Sequence, residues 1–263
     1  MEKIVSRDGT PIAYQRSGIG VPLVLVHGTS GTFQTWAQIL PLLERRFTVY
    51  AIDRRGRGES GDSAAPYAME REAEDVAALV DAIGERVNLF GHSYGAVCAL
   101  EASLLTTRTD RLVLYEPPIP TRDFRGADHT LMERMELFLA NGNNEAVLTM
   151  FMAELVGTSL ADIELSKSMA AWPARKAAAH TIPREIIALG RYSFEPGRFR
   201  EASTPTLLLL GGESPVFFGT AIRLLESALR NSKTEILAGQ HHLAMNTAPE
   251  LLAEALSAFI LSP

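Results

Sequence analysis

A chain of 263 residues, 46% hydrophobic and 21% charged, can bury one large core and lies well away from the composition of disordered chains. Its formal net charge of −6 is set by 31 acids against 25 bases with no basic stripe among them, which removes the electrostatic footing for binding nucleic acid or an anionic membrane. The single cysteine, Cys98, excludes an internal disulfide and reads as a small buried apolar side chain, and no run approaches the roughly 20 apolar residues of a membrane helix.

The first residues, MEKIVSRDGTPIAYQ, lack the apolar core of a signal peptide, so a cytoplasmic protein is expected. Ile4 to Ser17 reads as two strands around the turn pair Asp8-Gly9. Leu23 to Val26 is a buried strand, Phe33 to Arg45 a helix, and Phe47 to Ile52 the next strand, ending in Asp53-Arg54-Arg55-Gly56-Arg57-Gly58. Ala68 to Ile83 is an Ala- and Glu-rich helix. Val87 to Phe90 is a strand followed at once by a helix over Tyr94 to Leu105, and Leu112 to Tyr115 is a strand stopped by Glu116-Pro117-Pro118.

Alternating strands and helices predict a mostly parallel sheet flanked by helices. The alternation breaks between residues 119 and 200, where helical stretches punctuated by Gly142, Pro173, Pro183 and Pro196 contain no credible strand. It resumes with a strand at Thr206 to Leu210, a helix at Gly219 to Arg230, a strand at Thr234 to Leu237 and a helix at Pro249 to Leu261. The expected organisation is therefore a core of residues 1–118 and 201–263 with an all-helical insertion, 119–200. That insertion is read as a lid over the carboxyl ends of the strands, where ligands bind in open α/β sheets.

The segment Phe90-Gly91-His92-Ser93-Tyr94-Gly95 carries G-x-S-x-G between a predicted strand and a predicted helix. Side chains at positions 91 and 95 would crowd neighbouring elements in the sharp turn that lifts the Ser93 hydroxyl above the sheet. Amide hydrogens at the start of the following helix would face the same spot, where a developing oxyanion is stabilised. With Val26-His27-Gly28-Thr29 before it, the Asp53 turn between, and Gly239-Gln240-His241-His242 after the last strand, the chain resembles the α/β-hydrolase superfamily nearly end to end.

That resemblance implies Ser93 as nucleophile and an oxyanion hole from the backbone amides of Thr29 and Tyr94. It also implies the chain order nucleophile, acid, histidine, and the Gly-x-x-His spacing from Gly239 selects His242 over His241. His27 and His92 are expected to be packed supports, and Asp53 with the glycines after it to shape a loop. The acid departs from the usual pattern: the position after the strand beyond the insertion is Ser214, within Leu210-Gly211-Gly212-Glu213-Ser214-Pro215. Two carboxylates compete for the role. Glu116 stands where some haloalkane dehalogenases and lipases carry theirs, and Glu213 is the alternative. Pro117 predicts an extended backbone at Glu116.

A serine activated by histidine beside an oxyanion hole suits acyl transfer to water. The expected reaction is cleavage of a small to medium ester, thioester or lactone. The insertion's apolar residues, among them Phe124, Met135, Phe151, Met152 and Trp172, bias the substrate toward an uncharged, fairly apolar molecule. The nucleophile of related dehalogenases and epoxide hydrolases is an aspartate, which Ser93 is not. Carbon–carbon bond hydrolysis, lyase or perhydrolase chemistry on the same residues, or a ligand-binding sensor that keeps the triad, stay open. Neither a metal cluster nor a dinucleotide or phosphate fingerprint occurs, so no cofactor or metal is expected, and the expected partner is a small-molecule substrate.

Overall fold

The computed structural model describes residues 1–63, 66–124 and 126–262. Eight strands, β1 (Glu2–Val5), β2 (Pro11–Ser17), β3 (Val21–Val26), β4 (Phe47–Ile52), β5 (Val87–His92), β6 (Thr109–Tyr115), β7 (Thr206–Gly211) and β8 (Ser232–Leu237), form one sheet in the order β1-β2-β4-β3-β5-β6-β7-β8. β1 and β2 form an antiparallel hairpin whose turn is closed by Gly9 at φ 87°, a backbone region that costs glycine nothing. β2 runs antiparallel to β4, and every pairing from β4 across to β8 is parallel.

The chain passes from β3 to β4 on one side and then returns to place β5 on the other. The strand order therefore reverses at β3, and the crevice at the carboxyl ends of β3 and β5 is where such sheets bind ligands. His27-Gly28-Thr29, Ser93 and Glu116 follow β3, β5 and β6, and His242 follows β8, so this single end of the sheet gathers all the residues singled out above.

The strand period of two divides the core into two layers. Val24, Val26, Leu89, Leu112, Leu114 and Leu208 face the layer built with helices α2 (Met69–Ile83), α3 (Tyr94–Ala102) and α9 (Val216–Ala228). Leu23, Leu25, Phe90, Val113, Tyr115, Leu207 and Leu209 face Trp36, Leu43 of α1 (Leu40–Leu43), the short α10 (Ala244–Thr247) and α11 (Pro249–Ile260). The long helix expected over Phe33 to Arg45 is instead a 3-10 turn, Phe33–Trp36, followed by α1. Thr32 caps the first piece through the Gln34 amide, and Pro41, which has no amide hydrogen to donate, sits in the first turn of the second.

Between β6 and β7 the insertion is helical among its described residues: α4 (His129–Ala140), α5 (Asn144–Met150) running into a π turn at Phe151–Val156, α6 (Leu160–Lys167), α7 (Trp172–Ala177) and α8 (Ile182–Arg191). Pro173 and Pro183 start α7 and α8, and Pro196 starts a 3-10 turn, because proline's missing amide hydrogen costs nothing in a first turn. Leu131, Met135, Leu148, Met152, Ile163, Trp172 and Ile182 give this segment a small core of its own.

Candidate active site

Ser93 stands between β5 and α3 at φ 55° and ψ −128°, outside the regions open to most side chains. Holding it there costs on the order of 1–3 kcal/mol, which the packing around it must supply. The two glycines of the motif are what allow the turn. A Cβ on Gly91 would come within 2.5 Å of the Gly95 carbonyl of α3, and a Cβ on Gly95 would overlap the carbonyls of Val26, the last residue of β3, and of His27 after it. The Ser93 amide is fixed by the Tyr115 carbonyl at 2.9 Å.

His242 and Ser93 line the same cavity. His242 Nδ1 donates to Glu116 Oε2 at 2.5 Å, with the glutamate fully buried and the histidine 6% exposed. The other carboxylate oxygen, Oε1, accepts the Gly211 amide at 2.7 Å, so a residue from β7 holds the acid that orients the ring. With Nδ1 engaged, Nε2 is the nitrogen free to take a proton.

Glu213 does not reach this ring. It is exposed, and its contact is a backbone one, its carbonyl accepting from His241 Nδ1 at 2.9 Å. Ser214 Oγ is buried without a hydrogen-bond partner among the described residues. The extended backbone expected at Glu116 is not what forms: its φ is 49°. The preference imposed by Pro117 is local, whereas two tertiary hydrogen bonds to the buried carboxylate, from Gly211 and His242, fix where the side chain must point.

The amides of Thr29 and Tyr94 donate to no group among the described residues, and both residues border Ser93. The Tyr94 amide is the first of α3, so the helix terminus adds a partial positive charge at that place.

His27 and His92 are both buried and kept neutral, their pKa values pushed well down mainly by desolvation. His27 Nδ1 donates to the Gly28 carbonyl while Nε2 accepts the Arg54 amide, tying the loop after β3 to the loop after β4. His92 Nε2 donates to the His242 carbonyl at 2.9 Å and its ring lies 4.5 Å from that of His242, so it supports the loop carrying His242. His241 is exposed, as are His129 and His180 in the insertion. Asp53 accepts the amides of Phe33 and Glu59, which shapes the turn as expected.

The sequence reading missed that four acids, Glu72, Asp75, Glu185 and Asp8, the last pairing with Arg55 at 2.9 Å, serve the arginines of that turn. Arg54, fully buried, makes a fork on Glu72 with bonds of 3.0 and 2.8 Å and reaches Glu185 of α8 at 3.1 Å, while its guanidinium lies 4.6 Å from the Tyr94 ring. Arg57 pairs with the same Glu185 oxygen, and Arg55 pairs with Asp75. Glu185 is 131 residues from Arg54, so no helical spacing could announce the pair.

Two cavities meet at Ser93 and Thr29. One is lined by Pro118, Phe124, Leu155, Ile186, Leu189, Phe217 and Phe218 and is apolar apart from Glu185. The other is mixed, with Gln34, Gln38, Ser166, Arg175, Asn246 and His242 beside Phe151, Met152, Met169, Trp172 and Leu243, and is the more polar of the two. The apolar half is the one that the insertion's composition announced. The polar half, with Arg175 in it, was not, and its only sequence signal is an arginine on α7 with alanine or tryptophan at all four helical-neighbour positions, 171, 172, 178 and 179. Among the described residues no group of three His, Cys, Asp or Glu side chains could hold a metal ion, and no helix is long and apolar enough to cross a membrane.

Residues 23–255 match the alpha/beta hydrolase family. In three dimensions the chain is similar to an alpha/beta hydrolase from Sphaerobacter thermophilus DSM 20745, with 37% identity, 98% of this chain and 100% of that one covered, and a TM-score of 0.85. It is also similar to an esterase from Rhodococcus sp. ECU1013, with 26% identity, 99% and 98% covered, and a TM-score of 0.76. A soluble epoxide hydrolase of Corynebacterium sp. strain C12 is 36% identical over 93 residues, 35% of this chain and 32% of that protein, so the match spans about a third of that relative's length. The chain belongs to the α/β-hydrolase family.

Proposed function

We propose that the protein is a serine hydrolase that cleaves an ester, thioester or lactone through an acyl-enzyme on Ser93. The observation that carries this reading is the buried 2.5 Å contact of His242 Nδ1 with Glu116, on a ring that lines the cavity of a serine held in a strained strand-to-helix turn. In this account His242 Nε2 takes the Ser93 proton as Oγ attacks the substrate carbonyl, and Glu116 stabilises the imidazolium that results. The amides of Thr29 and Tyr94 receive the oxyanion, and the imidazolium then protonates the leaving group. Water, activated by the same imidazole, releases the acid and restores Ser93.

The insertion acts as a lid: it supplies Phe151, Val156, Ile186 and Arg175 to the walls above the nucleophile and excludes water there. The esterase among the similar structures supports ester chemistry, and so does serine at the elbow, where ring opening through a covalent carboxylate would need an acid. A chain with one buried thiol and no disulfide fits a reducing cytoplasm.

The test is a panel of p-nitrophenyl and alkyl esters combined with fluorophosphonate labelling. Turnover and labelling are expected in the parent, and Ser93→Ala should remain folded, lose labelling, and lose roughly a million-fold in turnover. Activity within tenfold of the parent in Ser93→Ala would remove the assignment.

A further inference from the structure

Arg175 lies on α7, inside the cavity that contains Ser93 and His242. Its guanidinium donates to Ser30 Oγ at 3.3 Å and lies 5.9 Å from the Trp172 ring, and no carboxylate among the described residues pairs with it. Among the described residues lining this cavity there is no aspartate or glutamate. The same cavity wall carries the hydrogen-bonding side chains of Gln34, Gln38, Ser166 and Asn246 alongside apolar ones such as Met169 and Leu243.

The fully buried arginines show what is missing. Arg54 and Arg55 each sit on carboxylates, which hold their protons more firmly than usual. Arg175, half-buried in the cavity wall, has no such partner, and desolvation lowers its pKa to about 10, which leaves it a cation at neutral pH. A partly desolvated cation without a counter-charge gains from an anionic ligand. A guanidinium fork matches a planar carboxylate with two parallel hydrogen bonds. A single cation compensates one negative charge, which suits a carboxylate better than a phosphate dianion.

We infer that the polar cavity binds a carboxylate of the substrate through Arg175, so that the preferred substrate is an ester bearing a free carboxylate on one side of the scissile bond and an apolar group on the other. The apolar group occupies the cavity lined by Phe124, Leu189, Phe217 and Phe218. The inference rests on the serine hydrolase reading for the word ester, while the anion site stands on Arg175 and its cavity. It replaces the uncharged molecule suggested by the composition of the insertion: the apolar residues describe one half of the site and leave out the other.

The experiment compares p-nitrophenyl hemi-esters of malonate, succinate, glutarate and adipate with neutral acyl esters of the same length, and includes a phosphate-bearing ester as a further arm. In the parent, kcat/KM for the best hemi-ester should exceed its neutral counterpart by on the order of 10- to 100-fold, as expected for a hydrogen-bonded charge pair. In Arg175→Met that ratio should fall to near 1, and Arg175→Lys should recover part of it. An unchanged ratio in Arg175→Met, a parent that favours the neutral ester, or a preference for the phosphate ester would each overturn the inference.

Binding is measured separately by calorimetry with monomethyl glutarate on Ser93→Ala, where turnover plays no part. Saturable binding that weakens on the order of 10- to 100-fold when Arg175→Met is added supports the anion site even if no ester is hydrolysed, an outcome that would sink the hydrolase reading alone. No binding to Ser93→Ala, with its fold intact by circular dichroism, removes the anion site while leaving the hydrolase reading to its own test.

Discussion

The two halves of the site are built differently. One half comes from the ends of the sheet: Ser93 after β5, Glu116 after β6 and His242 after β8, each fixed by a short local turn and by hydrogen bonds between buried groups. The other half comes from the insertion, where Arg175, Phe151 and Ile186 owe their places to the packing of short helices against one another and against the core. In the proposed reaction the sheet half holds the groups that make and break bonds, and the insertion half holds those that meet the rest of the substrate. Changes to the first should therefore abolish turnover with little effect on binding, and changes to the second should alter selectivity or stability while leaving the chemistry in place.

The sharpest division lies between the two candidate acids. Glu116→Gln should lower kcat by on the order of 10⁴, because an amide cannot stabilise imidazolium and favours the wrong tautomer. Glu213→Gln, exposed and in contact with His241 only through its carbonyl, should cost less than about threefold. Steady-state kinetics on one ester decide between them, and equal losses in the two variants would erase the distinction.

Glu185 is the point where the insertion is tied to the core, since one of its oxygens serves both Arg54 and Arg57. Burial raises the pKa of this carboxyl and the two arginines lower it, with the arginines prevailing, so it is ionised in the folded protein. Glu185→Gln leaves two buried cations with Glu72 alone on Arg54, and should cost about 3–5 kcal/mol in urea unfolding. A loss below about 1 kcal/mol would mean that packing, and not this ion cluster, holds the insertion down.

Acid should weaken the sheet half through its two buried imidazoles. Desolvation holds His27 and His92 well below the ordinary histidine range, so below about pH 6.5 the unfolded chain takes up protons that the folded one refuses. Stability is therefore expected to fall with falling pH as the unfolded histidines take up protons. The Asp75 carboxyl, raised to about 6 by burial, and Asp53, also raised by burial, oppose this at lower pH because there the folded state binds the extra protons. The loss should therefore be clearest between pH 7.5 and 6, before those carboxyls are fully protonated. Urea unfolding at pH 7.5 and 6 measures it, and greater stability at pH 6 than at pH 7.5 would contradict the burial argument. The smallest effect belongs to His241→Ala, which should keep kcat/KM within about threefold, since this exposed ring meets only the Glu213 carbonyl.

The difference between the halves also explains what could be read in the sequence. The elbow was legible because its physics is local: five residues, two of them glycines, specify the turn wherever a strand precedes and a helix follows. Strand positions were legible for the same reason, through leucine and β-branched runs bounded by turn residues. Glu116 was legible as one of two candidates, because a charge ending a buried strand needs a partner, but its left-handed backbone was not, since the bonds that impose it come from Gly211 and His242, 95 and 126 residues away. Arg175 had no legible role. An arginine without acidic neighbours at helical spacing is common on surfaces, and only the fold reveals that this one faces a cavity without carboxylates.

The central claim is that bond cleavage passes through a covalent intermediate on Ser93. Rapid quenching of the enzyme during turnover of an activated ester, followed by mass spectrometry of its peptides, should reveal the acyl mass on the peptide containing Gly91-His92-Ser93 and nowhere else, with a burst of alcohol matching the enzyme concentration. Turnover at the parent rate in Ser93→Ala, with no acyl adduct on that peptide in the parent enzyme, would contradict it.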